Sequence, residues 1–383
     1  MTTDFEFTPF EQALIESART FASDYVRPRA AEWEAARTMP REALRKAAKA
    51  GLTFLDAPAP GASQISFACK LMVLEALSEE DMGFAFALTN TQGIASRIAT
   101  TGTPSQQERF LSDLQSTERL GATCLSEPGA GSDFAGITTT AVKADGGWRL
   151  NGEKGWITNA AEADVFVVYA QTDASAGWRG IASFLVDGRQ PGFARAEPYS
   201  LLGGHVIGVG GFKLTDYFVP DEDVIAMPGE AFKAAMTSVN QARTYVAGMT
   251  NAMVAASLRH AVSYGAKRTA FGRPIIENQG VKWSLVDVAN QLEASKLLTY
   301  RAARLIDDGG DAMLPAAHAK KFAGNYGVPA IAACIQAMGA RGMKSDVPLS
   351  RHLACAKLAC YMDGSTEMMN ERLGKSLLDA YGN

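Results

Sequence analysis

The chain lacks any long run of like charges, any CxxC pair and any apolar stretch of membrane-spanning length. A net charge of −4 over 383 residues gives no indication of a nucleic-acid-binding surface. The four histidines are widely separated, so no metal site is expected. No GxSxG motif is present, which argues against a hydrolase with a serine nucleophile. These absences predict a globular protein that binds neither nucleic acid nor membrane.

The expected compartment is the cytoplasm. Five cysteines at irregular spacing are typical of reduced thiols. The N-terminal segment MTTDFEFTPFEQ is acidic and lacks the apolar core of a secretory signal. The length is too great for one simple core and indicates two or three domains.

The first region, residues 1–120, is predicted as a helical domain because apolar side chains recur every three or four positions. Two of its helices are expected at residues 65–80 and 83–102, after a DAPAPG loop at residues 56–61. This region shows no cluster of titratable residues, so its expected role is packing.

The second region, residues 121–228, alternates short β-prone runs with glycine, aspartate and proline. Strands are expected at residues 163–171, 180–187 and 212–219. No helix-length segment separates them, which favours an antiparallel sandwich or barrel over a Rossmann unit. The GVGG run at residues 208–211 leads into a strand rather than a helix, so we reject it as a dinucleotide-binding loop.

The third region, residues 229–383, returns to long helical segments, expected at residues 229–268, 278–307 and about 315–339. Helices of this length need partners along their flanks, so a bundle is predicted. The segment YMDGST at residues 361–366 lies between two shorter helices near the end of the chain.

The most informative stretch is CLSEPGAGSDFAGITTTAVKADGGWRLNGEKGWITN, at residues 124–159. Proline and two glycines exclude a helix interior near its start, and glycine beside serine suits a loop that approaches an anion closely. A hairpin is predicted next, with strand residues 138–144, a turn at 145–147 and a return strand from 148. The pattern indicates a site for a large, phosphorylated, planar ligand; a polar hairpin without a ligand is the alternative.

This stretch resembles the flavin-binding signature of the acyl-CoA dehydrogenase family, through CLSEPGAGSD and LNGEKGWITN. Three later segments resemble further motifs of that family in the same order: RTAFGRPI at residues 268–275, QAMG at 336–339 and DGSTE at 363–367. The resemblance extends over most of the chain. It implies an α+β fold with an N-terminal helical domain (1–120), a middle antiparallel β-domain (121–228) and a C-terminal four-helix bundle (229–383). It also implies FAD as cofactor and a homodimer or homotetramer.

By family position, Ser126 is expected near flavin N5, Gly131 and Ser132 at the pyrophosphate, and Trp156 and Thr158 beside the flavin ring. Other positions are also expected to contact FAD, several of them in the adjacent subunit: Cys124, Arg268, Phe271, Gln279, Gln336, Gly339 and Ser365. Shared cofactor sites would make the oligomer a functional requirement.

The family reaction removes hydrogen from Cα and Cβ of an acyl thioester, and a carboxylate takes the α-proton. Most members use glutamate at the position of Asp363, and some place it at the position of Ala242 instead. Asp363 is therefore the only candidate base; it is one methylene shorter than glutamate, and misplacement on that scale can cost about a hundredfold in rate. A turn and helix N-cap is the alternative reading of DGST.

The resemblance also implies a substrate site and partners. The positions expected to contact substrate are Ser132, Ala242, Arg243, Val246, Met362 and Gly364. Apolar residues at three of them favour a hydrocarbon acyl group, carried by CoA or by acyl-carrier protein. An electron-transferring flavoprotein is the expected electron acceptor.

Two other functions stay open at this point. Nitroalkane oxidases of the same superfamily use an aspartate base, so Asp363 is compatible with an oxidase of that kind. A low-activity partner subunit of a heteromeric dehydrogenase is favoured by departures from the family pattern at Asp363, Ala354 and Val206. His205 lies near a usual arginine, and Ala354 and Cys355 replace a usual arginine–aspartate pair.

Overall fold

A computed structural model describes residues 5–53 and 65–382. The predicted DAPAPG loop lies outside these residues. Within them the chain runs from helices through a β-sheet to a second set of helices, as the α+β class predicts. The domain boundaries at residues 120 and 228 stay predictions.

The N-terminal region is helical. Its helices are α1 Pro9–Phe21, continued by a π-helical segment Ala22–Val26, then α2 Ala30–Ala36, α3 Arg41–Lys49, α4 Phe67–Thr101 and α5 Pro104–Gln115. Helix α4 is broken at Asp81, which has extended φ and ψ of −156° and 105°. The Asp81 carboxylate accepts a hydrogen bond from Phe84 N at 2.9 Å and so caps the second segment. The prediction of two successive helices here is therefore confirmed.

The middle region forms one eight-stranded sheet. Its strands are β1 Gly121–Cys124, β2 Thr140–Ala144, β3 Gly147–Ile157, β4 Val165–Gln171, β5 Ile181–Asp187, β6 Phe193–Arg195, β7 Gly210–Pro220 and β8 Val224–Ala226. The β2–β3 hairpin turns at Asp145 and Gly146, where Gly146 has a φ of 69°. The predicted hairpin and the three predicted strands are confirmed, and the GVGG run leads into β7 as expected.

The sheet is mixed rather than wholly antiparallel. Most pairings are antiparallel, but β4 pairs in parallel with β1 and also, through Thr140 and Gln171, with β2. Strand β4 (VFVVYAQ) is buried at every residue, as is typical of a strand with parallel neighbours whose two faces are both covered. The long connection between β1 and β2, which contains the glycine-rich loop, makes a parallel neighbour of β4 possible.

The C-terminal region contains helices α6 Ala231–Lys267, α7 Gln279–Asp307, α8 Met313–Met338, α9 Leu349–Ala359, α10 Thr366–Lys375 and α11 Leu377–Tyr381. A small hairpin, β9 Thr269–Ala270 with β10 Arg273–Pro274, connects α6 to α7. Helices α6, α7 and α8 pack against one another, and α9 and α10 pack on α8, which completes the bundle. Within the described ranges, no helix is long and apolar enough to cross a membrane.

One buried side chain joins the sheet to helix α4 of the N-terminal region. Asn159, which follows β3, donates through Nδ2 to Ala87 O at 2.9 Å, Thr91 Oγ1 at 3.2 Å and Gly121 O at 3.0 Å. The end of the 124–159 stretch is thereby fixed against α4. In addition, Asn90 Nδ2 donates to Thr158 O at 3.1 Å.

Candidate active site

The loop that carries the candidate base runs between α9 and α10. It follows Ala359 and ends at Ser365, the N-cap of α10, whose hydroxyl accepts a hydrogen bond from Met368 N at 3.3 Å. Asp363 and Gly364 have φ values of 52° and 93°. Left-handed backbone costs a non-glycine residue about 1 kcal/mol or more, so contacts around the loop must hold Asp363 there.

The carboxyl group of Asp363 is enclosed at one oxygen. The residue as a whole is half-buried, but Oδ2 is buried and has no hydrogen-bond partner. Burial raises the pKa of Asp363, while the nearby cations Lys320 and Arg243 oppose that rise. A carboxylate with an unused, desolvated oxygen is suited to accept a proton from a substrate.

Arg243, on α6, holds the main chain of this loop. Its side chain is 5% exposed, and Nε donates to Asp363 O at 3.1 Å. Asn240 fixes the guanidinium from one turn earlier, because its Oδ1 accepts from Nη1 at 2.9 Å. Burial lowers the pKa of Arg243 to about 10, so the group keeps its charge at neutral pH.

Lys320, on α8, holds the same loop from another side and was not predicted from sequence. It is 2% exposed, and its Nζ donates to Gly364 O at 2.6 Å and to Ala359 O at 3.3 Å. The sequence did contain a sign of this role, because the spacing of four and three residues places Lys320 on the same buried helix face as Ala316 and Ala323. A lysine on such a face needs an internal partner.

The glycine-rich loop is organised by a buried ion pair between Glu127 and Lys154. Both residues are at most 3% exposed, and Lys154 Nζ donates to Glu127 Oε1 at 2.9 Å and to Leu125 O at 3.2 Å. Glu127 also accepts from Thr138 N, Thr138 Oγ1 and Thr139 N at 2.7, 2.7 and 2.9 Å. Burial of Glu127 is outweighed by Lys154 and these donors, so its pKa falls to about 2. Sequence reasoning did not single out this pair, although both residues stand in the quoted motifs.

Next to this pair lies the surface predicted for the flavin. Ser126 is half-buried, and its carbonyl accepts from Gly155 N at 3.2 Å, which joins the loop to β3. Gly131 and Ser132 are exposed, and a Cβ placed on Gly131 would meet nothing within 4 Å. Open space in front of a glycine-rich backbone suits the close approach of a phosphate. Cys124 differs, because the whole residue is buried in β1, so the structure does not leave it accessible to a ligand.

Trp156 lies in a bulge of the β3–β7 ladder, with a φ of 61° and 61% exposure. A bulge re-aims a side chain, and such features recur beside active sites. The indole meets Tyr199 edge-on at a centroid distance of 4.7 Å, and Thr158 follows two residues later, half-buried. An exposed aromatic ring beside an open glycine loop fits a planar, phosphorylated cofactor such as FAD.

A second set of predicted cofactor residues lies on the outer surface of the bundle. Arg268, Phe271 and Gln279 are exposed around the β9–β10 hairpin, and Phe271 is 97% exposed with a φ of 52°. Gln336 and Gly339, at the end of α8, are exposed as well. All five are accessible to another molecule.

The positions predicted for the acyl group are apolar: Ala242 and Val246 stand on α6 beside Arg243, and Met362 is in the Asp363 loop. Val246 is 1% exposed, whereas Ala242 and Met362 are half-buried. Gly364 is near Arg243: a Cβ on Gly364 would lie 3.4 Å from Arg243 Nη2. The structure thus brings Asp363, Gly364 and Arg243 together on one loop and one helix.

Sequence models of the three acyl-CoA dehydrogenase domains match this chain in order: N-terminal over residues 8–118, middle over 122–217 and C-terminal over 229–378. The short-chain specific acyl-CoA dehydrogenase of Megasphaera elsdenii is 30% identical over 98% of this chain and 100% of its own length. A solved structure described as the electron transferring flavoprotein of Acidaminococcus fermentans is 31% identical, with a TM-score of 0.93 and coverage of 98% of this chain and 100% of that chain. A structure of PigA with FAD and proline is 27% identical, with a TM-score of 0.90 and coverage of 98% and 99%.

Proposed function

The chain belongs to the acyl-CoA dehydrogenase family of CH–CH oxidoreductases, and from that premise we propose that it is an FAD-dependent dehydrogenase of short acyl thioesters. The observation that carries this proposal is the carboxyl group of Asp363. Its Oδ2 is buried and unpartnered at the family position of the base, on a loop held by Arg243 and Lys320. A purely structural N-cap turn does not need a desolvated, unused oxygen.

FAD is supported by the residues that would hold it. Gly131 and Ser132 offer an open loop for the pyrophosphate, and Ser126, Trp156 and Thr158 surround the place expected for the ring. Half-buried Ser365 completes this set. The likeness to PigA, whose structure contains FAD, adds to this assignment.

In the proposed reaction, Asp363 takes a proton from the α-carbon of the thioester. Burial makes its carboxylate a better base, because a raised pKa lies closer to neutral pH. The main-chain N–H of Asp363 is the expected donor to the thioester oxygen, on which negative charge develops. Bound FAD supplies the acceptor for the hydride that leaves the β-carbon. Arg243 keeps the loop carbonyl of Asp363 fixed while the proton moves.

The substrate is proposed to be a short hydrocarbon acyl group on CoA or acyl-carrier protein. Half-buried Ala242 and Met362 offer apolar surface, with Val246 buried one turn after Ala242, and the likeness to a short-chain specific relative favours a small group. Ser132 and Gly364 are the proposed contacts to the thioester and its carrier. An electron-transferring flavoprotein is the proposed electron acceptor, supported by the likeness to the Acidaminococcus fermentans structure.

A second copy of the chain is proposed to complete the cofactor site, in a homodimer or homotetramer. Arg268, Phe271, Gln279, Gln336 and Gly339 are all exposed, as they must be to contact FAD held by another subunit. An apolar groove of about 200 Å³ lies close by, lined by Leu258, Val262, Ile276, Lys282, Leu285, Val286 and Ala289. A cytoplasmic location is proposed because the five cysteines are free and buried.

The test is anaerobic reduction of the purified flavoprotein. Short and long straight-chain acyl-CoAs are added first and nitroalkanes second, and bleaching of the flavin absorbance is followed. We expect bleaching by short acyl-CoAs in the wild type and none in Asp363→Asn, which should keep its FAD. Glu371→Gln, an exposed carboxylate on α10, is the matched control and should reduce normally.

Two results would contradict the proposal. Bleaching by nitroalkanes alone would assign the protein to the oxidase class instead. Equal rates in the wild type and Asp363→Asn would remove Asp363 from the mechanism.

A further inference from the structure

Lys320 connects both ends of the loop that carries Asp363. Its Nζ donates to Ala359 O, the last residue of α9, at 3.3 Å, and to Gly364 O at 2.6 Å. A single ammonium group therefore spans the chain segment on which Asp363 stands. Because the side chain is 2% exposed, water cannot replace these bonds.

The two cations beside Asp363 bind adjacent carbonyl groups. Arg243 Nε donates to the carbonyl of Asp363 at 3.1 Å, and Lys320 Nζ donates to that of Gly364. Asp363 and Gly364 are also the residues of this loop that have left-handed φ values. The cations thus stabilise a backbone that aspartate does not favour, and they leave Oδ2 of the carboxylate free of hydrogen bonds.

The charges around the carboxylate come from several elements. Arg243 lies on α6, Lys320 on α8, and Arg372 and Glu367 on α10; the thiol of Cys360, after α9, is also near Lys320. Asp363 is thus a half-buried anion with one enclosed oxygen, and the charges that compensate it are Lys320 and Arg243. Such an anion is costly unless nearby positive charge remains.

We propose that Lys320 is a positioning residue for the base: its ammonium closes the Asp363 loop and keeps the enclosed carboxylate ionised. This inference rests on the proposed function, in which Asp363 removes the α-proton. Lys320 lowers the pKa of Asp363, against the rise caused by burial, and it does so more than Arg243. Burial also lowers the pKa of Lys320 to about 8, so the ammonium is charged at neutral pH.

The charge of Lys320 determines the direction in which its loss shifts the pH dependence of flavin reduction. The base acts in its ionised form, so the rate of flavin reduction falls as the pH drops through the pKa of Asp363. Loss of the ammonium raises that pKa further. The acid limb of the rate profile should then move to higher pH, and at any pH below the pKa of Asp363 the rate should fall about tenfold for each unit of movement.

The variants separate charge from packing. Lys320→Met removes the charge and both hydrogen bonds, Lys320→Gln keeps a neutral donor, and Lys320→Arg keeps the charge. Lys321→Met, half-buried at the next position of α8, is the matched control. Reduction of the holoenzyme by a short acyl-CoA is measured by stopped flow between about pH 5 and pH 9.

We expect the acid limb to move by about one unit or more in Lys320→Met and Lys320→Gln, and to stay in place in Lys320→Arg and Lys321→Met. FAD content should be normal in each. A rate that falls by the same factor at every pH would mean that Lys320 only supports the fold, and the proposal would be overturned.

A second measurement does not depend on turnover. Thermal unfolding of the holoenzyme is compared for Lys320→Met, Asp363→Asn and the double variant at neutral pH. We expect Lys320→Met to lower the midpoint less when Asp363 is already neutralised. Equal losses in both backgrounds would overturn the proposal. Suppose that no acyl-CoA reduced the flavin of the wild type, but that Lys320→Met still lowered the midpoint less in the Asp363→Asn background. The proposed function would then fail, while the role of Lys320 in holding the Asp363 carboxylate would stand.

Discussion

Replacing Lys154 with methionine should disrupt the glycine-rich loop far more than the loss of one surface charge would. Methionine fills most of the volume of the lysine stem, but it leaves Glu127 buried without its counter-charge. The three donors from Thr138 and Thr139 remain. They satisfy the carboxylate oxygens, but they do not replace a positive charge in a site where both partners are at most 3% exposed.

The loss in the free energy of unfolding can be estimated from the Glu127–Lys154 pair itself. The pKa of Glu127 falls from 4.5 to about 2, which corresponds to about 3 kcal/mol of stability that is present above about pH 4.5 and lost as the pH drops toward 2. Burial of Lys154 lowers its own pKa and offsets part of this gain. Removal of one partner of a buried pair typically costs about 3–5 kcal/mol, because the remaining charge stays desolvated. We expect a loss in that range for Lys154→Met.

The assay is thermal unfolding together with FAD retention during dialysis. Lys143→Met is the matched control in the same sheet, since Lys143 and its partner Asp221 are each 54% exposed; that change should cost less than about 1 kcal/mol. The double variant Glu127→Gln, Lys154→Met should be more stable than Lys154→Met alone, because no buried charge remains. If Lys154→Met costs no more than Lys143→Met, or if the two changes at the pair are additive, the argument from the buried charge is wrong.

Three further results are expected. The rate of flavin reduction in the wild type should fall toward acid pH with an apparent pKa above the ordinary aspartate value, because burial raises the pKa of Asp363; stopped-flow rates measure this, and a flat profile would contradict it. Phe271→Ala should leave subunit folding unchanged while weakening FAD retention and assembly by tenfold or more, which sedimentation and flavin spectra would detect; unchanged assembly would show that the 97% exposed ring has no partner. Glu34→Gln should destabilise the protein by about 1–3 kcal/mol with the site intact, because three hydrogen bonds from Gly204 and His205 lose a charged acceptor; a melting midpoint equal to that of the wild type would contradict it.

The element types were predictable from local patterns. Apolar residues at three- and four-residue spacing identified the first helices of the N-terminal region, and the turn at Asp145 and Gly146 identified the β2–β3 hairpin. The parallel partners of β4 were not predictable, because strand pairing depends on the three-dimensional course of the β1–β2 connection rather than on periodicity. Local patterns determine which element forms and leave its neighbours open.

Some residues of the candidate site were likewise predictable from the sequence, and others were not. Asp363, Arg243 and Trp156 could be named because motif positions mark them, and the structure places Arg243 against the Asp363 main chain. Lys320 and the Glu127–Lys154 pair could not be assigned, since a buried charge is recognised by its partners, which come from distant parts of the chain. The roles of the individual flavin contacts stay predictions.

The departures from the family pattern form one repacked contact. His205 Nδ1 lies 2.8 Å from Glu34 Oε1, and the same carboxylate accepts the N–H groups of Gly204 and His205 at 3.0 Å each. On the other side, a Cβ on Gly204 would lie 3.0 Å from Cys355 Sγ, so a larger residue at either position would collide with the other. The small side chain of Cys355 on α9 and His205 opposite it therefore depend on one another. The charged partner of His205 is Glu34, on α2. Because the replacements at His205 and Cys355 are parts of a single contact, they do not count as two independent signs of lost activity, and the argument for a low-activity subunit then rests on Ala354, Val206 and the length of the Asp363 side chain.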